Sequence, residues 1–276
     1  MAAITQPRVE ELQALCADMR KGVIKVLHKI QTGHAGGSLS CCEILTALYF
    51  ELAQVDPQNP NWEGRDRIVL TKGHAAPMLY YVLAKKGFFP EEEIQTLRQI
   101  NSRLQGHACA KSTPGVEVSS GPMGLGLPAA IGIALSLRLD KNPATVYALM
   151  GDGELNEGTV WEACMSASKF ALDSLIAIVD YNKVQLDGTA DEIMPMGDLG
   201  AKFAAFGFDV FTCDGHSLES ICETVLAAKA AKGKPKVIIA DTVKGKGVSF
   251  MEGKNTWHGA PIGKEDFERA MAEMGG

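Results

Sequence analysis

Apolar residues recur at helical spacing along the start of the chain (Val9, Leu12, Leu15, Met19, Val23, Val26, Leu27, Ile30), which predicts an amphipathic helix over residues 8–31 with Gly33 as its stop. Further along, the pattern changes. Short apolar runs rich in β-branched residues fall at 67–71, 145–150, 175–180, 208–212 and 236–241. Helical patterns at 41–52, 75–86, 127–139, 157–169, 198–206 and 218–231 occupy the intervals, and Pro90 followed by Glu91, Glu92 and Glu93 marks another helix start. Strand and helix alternating in this way predict an α/β fold: one domain, residues 1–276, built on a mostly parallel sheet with helices on both faces. Residues 101–125 lack periodicity and are rich in Gly, Pro, Ser and Thr, so they are expected to form a long functional loop.

Composition narrows the class. Apolar residues make up 46% and charged residues 22%, with 29 glycines, which fits an ordered α/β protein whose backbone approaches a ligand closely. A net charge of −6 argues against nucleic acid or an anionic membrane as a partner. The N-terminus lacks the order of a signal peptide, and no apolar run reaches the ~18 to 20 residues that span a bilayer. The seven cysteines show no Cys-x-x-Cys pair and no zinc spacing, so buried reduced thiols and a cytoplasmic location are expected.

The chemistry gathers where strands end. The run 145–150 leads into Gly151-Asp152-Gly153, and 175–180 leads into Tyr181-Asn182-Lys183-Val184. In open parallel sheets ligands collect at the carboxyl ends of strands, so neighbouring strands would bring both endings together. Asp152 and Asn182, 30 positions apart, offer one charged and one neutral oxygen, a hard set suited to Mg²⁺ or Ca²⁺. Mg²⁺ usually completes its shell with water and phosphate oxygens, which implies a phosphorylated ligand facing the amides of a helix that starts near Glu157. Taken alone, Gly-Asp-Gly reads equally well as a turn in which Asp152 caps a helix; the spacing to Asn182 favours the metal.

Six histidines occur, and His34, His74, His107 and His258 each adjoin a glycine in a predicted loop, where imidazole can reach a ligand. His28 falls on the first helix and His216 just before a helix capped by Ser217; neither is given a catalytic role. Arg65, Arg67 and Arg103 are read as surface ion-pair partners, and Cys41 and Cys42 as packing residues. No Walker or Rossmann glycine spacing is present.

The segments Thr32 to Gly37, Leu70 to Pro77, Gly106-His107, Ser120 to Gly126, Gly151 to Gly158 and Trp257 to Pro261 stand in an order that resembles the thiamine diphosphate enzymes of the transketolase family. The resemblance covers nearly the whole chain and implies the thiamine diphosphate-binding (PP) fold. It implies that Asp152, Asn182 and the Val184 carbonyl bind the divalent metal, Mg²⁺ with Ca²⁺ or Mn²⁺ as alternatives. Gly153 would lie beside the diphosphate, Gly121 and Met123 would present backbone groups to the cofactor, and Lys72 and His74 would lie near it. Lys244 and His258 match positions that approach the cofactor in the animal-type branch. His34, His107 and His258 would face substrate, and Glu157 matches a buried glutamate near the family's subunit interface.

Single-chain members of that family are more than twice as long, because a pyrimidine-binding domain and a third domain follow. The resemblance therefore implies a split enzyme in which a separate C-terminal subunit carries the pyrimidine-binding domain, with self-association into an α2β2 assembly. Its reaction would move a two-carbon ketol unit between sugar phosphates, and this chain would be inactive alone. Another thiamine diphosphate enzyme, such as a 1-deoxyxylulose-5-phosphate synthase-like ligase or a ketoacid dehydrogenase component, and a non-catalytic cofactor-binding paralogue are the alternatives. The Gly-His series and His258-Gly259-Ala260-Pro261 favour ketol transfer. One departure stands out: Ala35, then Gly36-Gly37, where many relatives have proline after the first histidine.

Overall fold

The computed structural model describes residues 4–275. Five strands, β1 (Arg67–Leu70), β2 (Val146–Gly151), β3 (Leu175–Tyr181), β4 (Asp209–Asp214) and β5 (Lys236–Asp241), form one parallel sheet in the order β1-β2-β3-β5-β4. Side chains alternate across it as the pleat requires. Ile68, Leu70, Tyr147, Leu149, Ile176, Ile178 and Ile238 pack into one buried cluster; Val69, Val146, Ala148, Met150, Ala177, Val179 and Val237 pack into another. The first cluster is covered by α1 (Gln6–Ile30), α2 (Ala35–Ser40), α3 (Cys42–Ala47), α4 (Ala76–Lys86) and, after β4, α9 (Leu218–Ala230); the second by α5 (Gly126–Leu139), α6 (Gly158–Lys169) and α8 (Leu199–Ala205). Burial on both faces is why the strand sequences are apolar throughout and do not alternate.

The expected helix over 41–52 is instead the short α3 followed by a π-turn at Leu48–Leu52, and α2, which the pattern did not predict, precedes it across a break at Cys41. Two glycines that disfavour helix lie inside α2, but tertiary packing demands them: a Cβ on Gly37 would sit 2.7 Å from Nε2 of His74. The segment after Pro90 is a 3₁₀ turn, Glu91–Thr96, and a 3₁₀ turn at Gly153–Asn156 comes before α6, which starts at Gly158. Besides α2, two helices escape the pattern: α7 (Ala190–Ile193), a single turn held by a Thr189–Glu192 capping box, and α10 (Lys264–Glu273). α10 docks through Phe267, whose ring stacks on His28 at 4.2 Å.

The residues expected to be structural are so. Arg65 pairs with Glu117 and Arg103 with Glu93 (2.8 and 2.5 Å), while Arg67 donates to backbone carbonyls. Ser217 caps α9. All seven thiols are unpaired; six are buried, and only Cys109 in the long loop is partly exposed. Among the described residues no helix is long and apolar enough to cross a membrane.

Candidate active site

The register pairs Gly151 of β2 with Asp180 of β3, so both strands end side by side and their following loops meet. Asp152 closes the junction: one carboxylate oxygen accepts the N–H of Gly153 at 2.7 Å and the other accepts the N–H of Lys183 in the facing loop. Lys183 takes a left-handed backbone (φ 66°), which turns the chain so that Asn182 and Val184 face the same cleft as Asp152. The Asn182 side-chain oxygen accepts the Val184 N–H at 3.2 Å, which holds the amide in place.

A carboxylate, an amide oxygen and a carbonyl brought together from two facing loops are a hard-oxygen set that fits a small divalent cation completed by phosphate oxygens. Asp152 is short of positive charge: burial first, then the nearby Asp180, raises its carboxyl to about 6. No cluster of three His, Cys, Asp or Glu capable of holding a metal exists among the described residues, so any cation here draws on this mixed set and on its ligand. The Val184 carbonyl also accepts a hydrogen bond from Lys244 Nζ at 2.9 Å.

The four glycine-flanked histidines meet beside this loop. The His34 ring lies 5.4 Å from His258, 5.6 Å from His74 and 6.0 Å from His107, and His74 lies 5.0 Å from His258. Burial, reinforced by neighbouring cations, keeps them neutral: His34 is lowered to about 4 (burial, then Arg98), His258 to about 3 (burial, then Lys244), and His74 and His107 are also lowered. Lys244 is lowered to about 8 by burial and then by Lys72. Its ammonium donates to Nδ1 of His258 at 2.9 Å, which puts the imidazole proton on Nε2.

His74, Met123, Gly153, Lys244 and His258 line the cleft with the metal-ligand candidates, and Gly121 packs beside His107. Four of the six buried polar side-chain atoms that lack a partner among the described residues border the cleft or its histidines: His34 Nδ1, Arg98 Nε, Ser120 Oγ and Gln185 Nε2. Unpaired buried polar atoms are rare, so their concentration here fits a site shaped for a polar ligand.

Glu157 is exposed on the single chain, while Glu154 of the same motif is buried and accepts from Thr71 Oγ1 (2.7 Å), the Gly124 N–H (3.0 Å) and the Gly151 N–H (3.3 Å), tying β1, the long loop and β2 together. The helix following Asp152 starts near Glu157 as expected, at Gly158 with Glu157 as its N-cap, after the 3₁₀ turn at Gly153–Asn156. Lys72 does line the cleft, but its ammonium is bound to Asp180 and to the Gly37 carbonyl (2.9 Å). Arg98 carries no signal in the sequence: it takes a left-handed backbone (φ 61°) just after the 3₁₀ turn Glu91–Thr96, and its place beside His34 and His107 emerges only in the fold.

Residues 12–276 match the family model described as transketolase, thiamine diphosphate binding domain. The 6-deoxy-6-sulfo-D-fructose transketolase subunit SqwG of Clostridium sp. (strain MSTE9) is 46% identical, with 96% of each chain covered. An apulose-4-phosphate transketolase subunit of Phocaeicola vulgatus is 40% identical, with 97% of this chain and 95% of that one covered. Among solved structures, the transketolase of Campylobacter jejuni superposes with a TM-score of 0.90 at 33% identity, covering 97% of this chain and 43% of that enzyme. The chain thus matches named subunits almost end to end and spans less than half of a single-chain transketolase, which does not favour the ligase-like and non-catalytic alternatives. It belongs to the transketolase family, as the thiamine diphosphate-binding N-terminal subunit of the split type.

Proposed function

We propose that this subunit holds the diphosphate of thiamine diphosphate through a divalent cation, Mg²⁺ in the cell, bound by Asp152, Asn182 and the Val184 carbonyl. A separate chain carries the pyrimidine-binding domain, and the two assemble as α2β2. The observation that supports this best is the bridge from Asp152 to the Lys183 amide, which fastens two strand-end loops into one oxygen-rich turn. When bound, the cofactor supplies a carbon nucleophile and an electron sink for breaking a ketose carbon–carbon bond. His34, His107 and His258, all neutral, offer N–H donors and lone pairs for a ketose carbonyl and its hydroxyls. Nε2–H of His258 is a fixed donor because Lys244 occupies Nδ1. His74 and the backbone at Gly121, Met123 and Gly153 border the cofactor.

The substrates are sugar phosphates or closely related anionic ketoses, by analogy with the sulfosugar and apulose phosphate named for the relatives. The exposed position of Glu157 suits a residue covered by another chain. Ketol transfer should be absent from the purified chain supplied with Mg²⁺ and thiamine diphosphate and should appear when the pyrimidine-domain chain is added; turnover by the chain alone rejects the two-chain reading.

A further inference from the structure

His216, to which the sequence assigns no chemistry, closes a buried polar relay behind the cleft. It lies in the turn between β4 and α9. Its Nε2 accepts the backbone N–H of Val243 at 2.8 Å, so the imidazole proton sits on Nδ1, 3.0 Å from Oε2 of Glu43. Arg20 grips Glu43 through both carboxylate oxygens, at 2.5 and 2.6 Å, and also donates to the Leu39 carbonyl at 3.2 Å. Arg20, Glu43 and His216 side chains are 10%, 9% and 15% exposed, which removes water as a competing partner. Burial alone would raise the Glu43 carboxyl, yet the His216 hydrogen bond and the Arg20 charge bring it down to about 2. An ionised Glu43 is only an acceptor, so His216 must donate to it from Nδ1 and present a bare Nε2 to Val243.

Val243 immediately precedes Lys244. The residues around it are fixed one by one: Thr242 Oγ1 donates to Asp180, Val243 N–H to His216, and Gly245 N–H to the Gly36 carbonyl at 3.0 Å. Lys244 then spans the remaining gap to the Val184 carbonyl and to His258, both at 2.9 Å. We infer that His216, locked in its Nδ1-protonated tautomer by the Arg20–Glu43 pair, is a positioning residue that sets Lys244 against the Val184 carbonyl and His258. The inference rests on the reading that Lys244 faces the cofactor.

Two measurements test it. In ¹⁵N-histidine spectra of the whole chain at neutral pH, His216 should show a protonated Nδ1 and a bare Nε2 coupled across a hydrogen bond to the Val243 amide; a proton on Nε2 overturns the inference. Titration with thiamine diphosphate and Mg²⁺ then compares wild type with H216F, H216Q, K244M and H216F/K244M, with unfolding midpoints recorded alongside. H216F, which keeps a ring but no acceptor, should weaken binding about tenfold, and H216Q, which restores an acceptor, should recover most of it. On the K244M background H216F should add nothing, because its effect passes through Lys244. Fully additive losses overturn the positioning role. A K244M variant that binds as wild type overturns the reading of Lys244 instead, while the tautomer measurement needs no variant and stands even if H216F does not fold.

Discussion

Replacing Lys72 by methionine separates a cofactor ligand from a structural strut. Lys72 and Asp180 are both completely shut off from solvent and bound to each other, and Asp180 also accepts from Ser40 at 2.6 Å and from Thr242. Burial is the largest single influence and works against both charges, yet the partner's charge and the hydrogen bonds together outweigh it: Lys72 is raised and Asp180 lowered. Methionine keeps the volume of the stem and removes the cation, leaving a carboxylate with two hydroxyl donors and no counter-charge. Breaking a buried pair in this way costs about 3–5 kcal/mol. At roughly 2–4 °C per kcal/mol for a chain near this size, the midpoint should fall by about 6–20 °C without any cofactor present. The pH dependence has a definite sign. The depressed Asp180 contributes stability that is complete above the unfolded carboxyl pKa of about 4 and is lost as pH falls through its lower native value. The raised Lys72 contributes stability that is complete below about 10.5 and is lost above its native value. In Lys72→Met the orphaned carboxyl is pushed up by burial and can take a proton, so the deficit should be large at pH 8 and smaller at pH 5. Adding Asp180→Asn should recover much of it. Chemical denaturation at both pH values is the assay; a deficit under about 1 kcal/mol at pH 8, or one seen only with cofactor bound, refutes the strut.

Further outcomes follow from the same geometry. Asp152→Asn keeps an acceptor for only one of the Gly153 and Lys183 amides and loses the charge, and calorimetry should show at least a ~10-fold loss of metal-dependent thiamine diphosphate affinity; unchanged affinity removes Asp152 from the metal site. Gly37→Ala places a Cβ 2.7 Å from Nε2 of His74, so it should destabilise the chain by about 1–3 kcal/mol in denaturant and shift the His74 resonances; an undisturbed His74 contradicts the packing. His34 and His258, lowered to about 4 and about 3, should remain neutral in NMR titrations down to pH 5. Because the unfolded chain takes those protons first, stability should fall as pH drops from about 6.5 toward 4. Protonation of either ring near pH 6.5 contradicts their burial beside Lys244 and Arg98.

The sheet was readable from sequence because burial on both faces leaves an unambiguous mark: five short apolar runs, the last of which, 236–241, coincides with β5. Elements set by tertiary packing were not. The glycines of α2 admit His74 and the Lys244 stem, and α10 is a polar helix whose docking includes a histidine–phenylalanine stack far apart in sequence. At the site, the meeting of the Asp152 and Asn182 loops was legible because both follow strand ends, and the four loop histidines converge as their glycine neighbours imply. Assigning a carboxylate to solvent or core was beyond the pattern. Glu154 and Glu157 lie three positions apart in one motif, and only the 3₁₀ turn decides that the first is buried and the second exposed. The same holds for His216, whose partners Glu43 and Val243 come from distant elements.

The central claim is that two strand-end loops supply oxygens to one cation that anchors a diphosphate. A crystal grown with thiamine diphosphate and Mn²⁺ tests it directly through anomalous scattering. The account predicts one manganese peak within about 2.0–2.4 Å of an Asp152 carboxylate oxygen, the Asn182 amide oxygen and the Val184 carbonyl, with diphosphate oxygens completing the shell. A diphosphate bound without those three residues, or a metal elsewhere in the cleft, would contradict it.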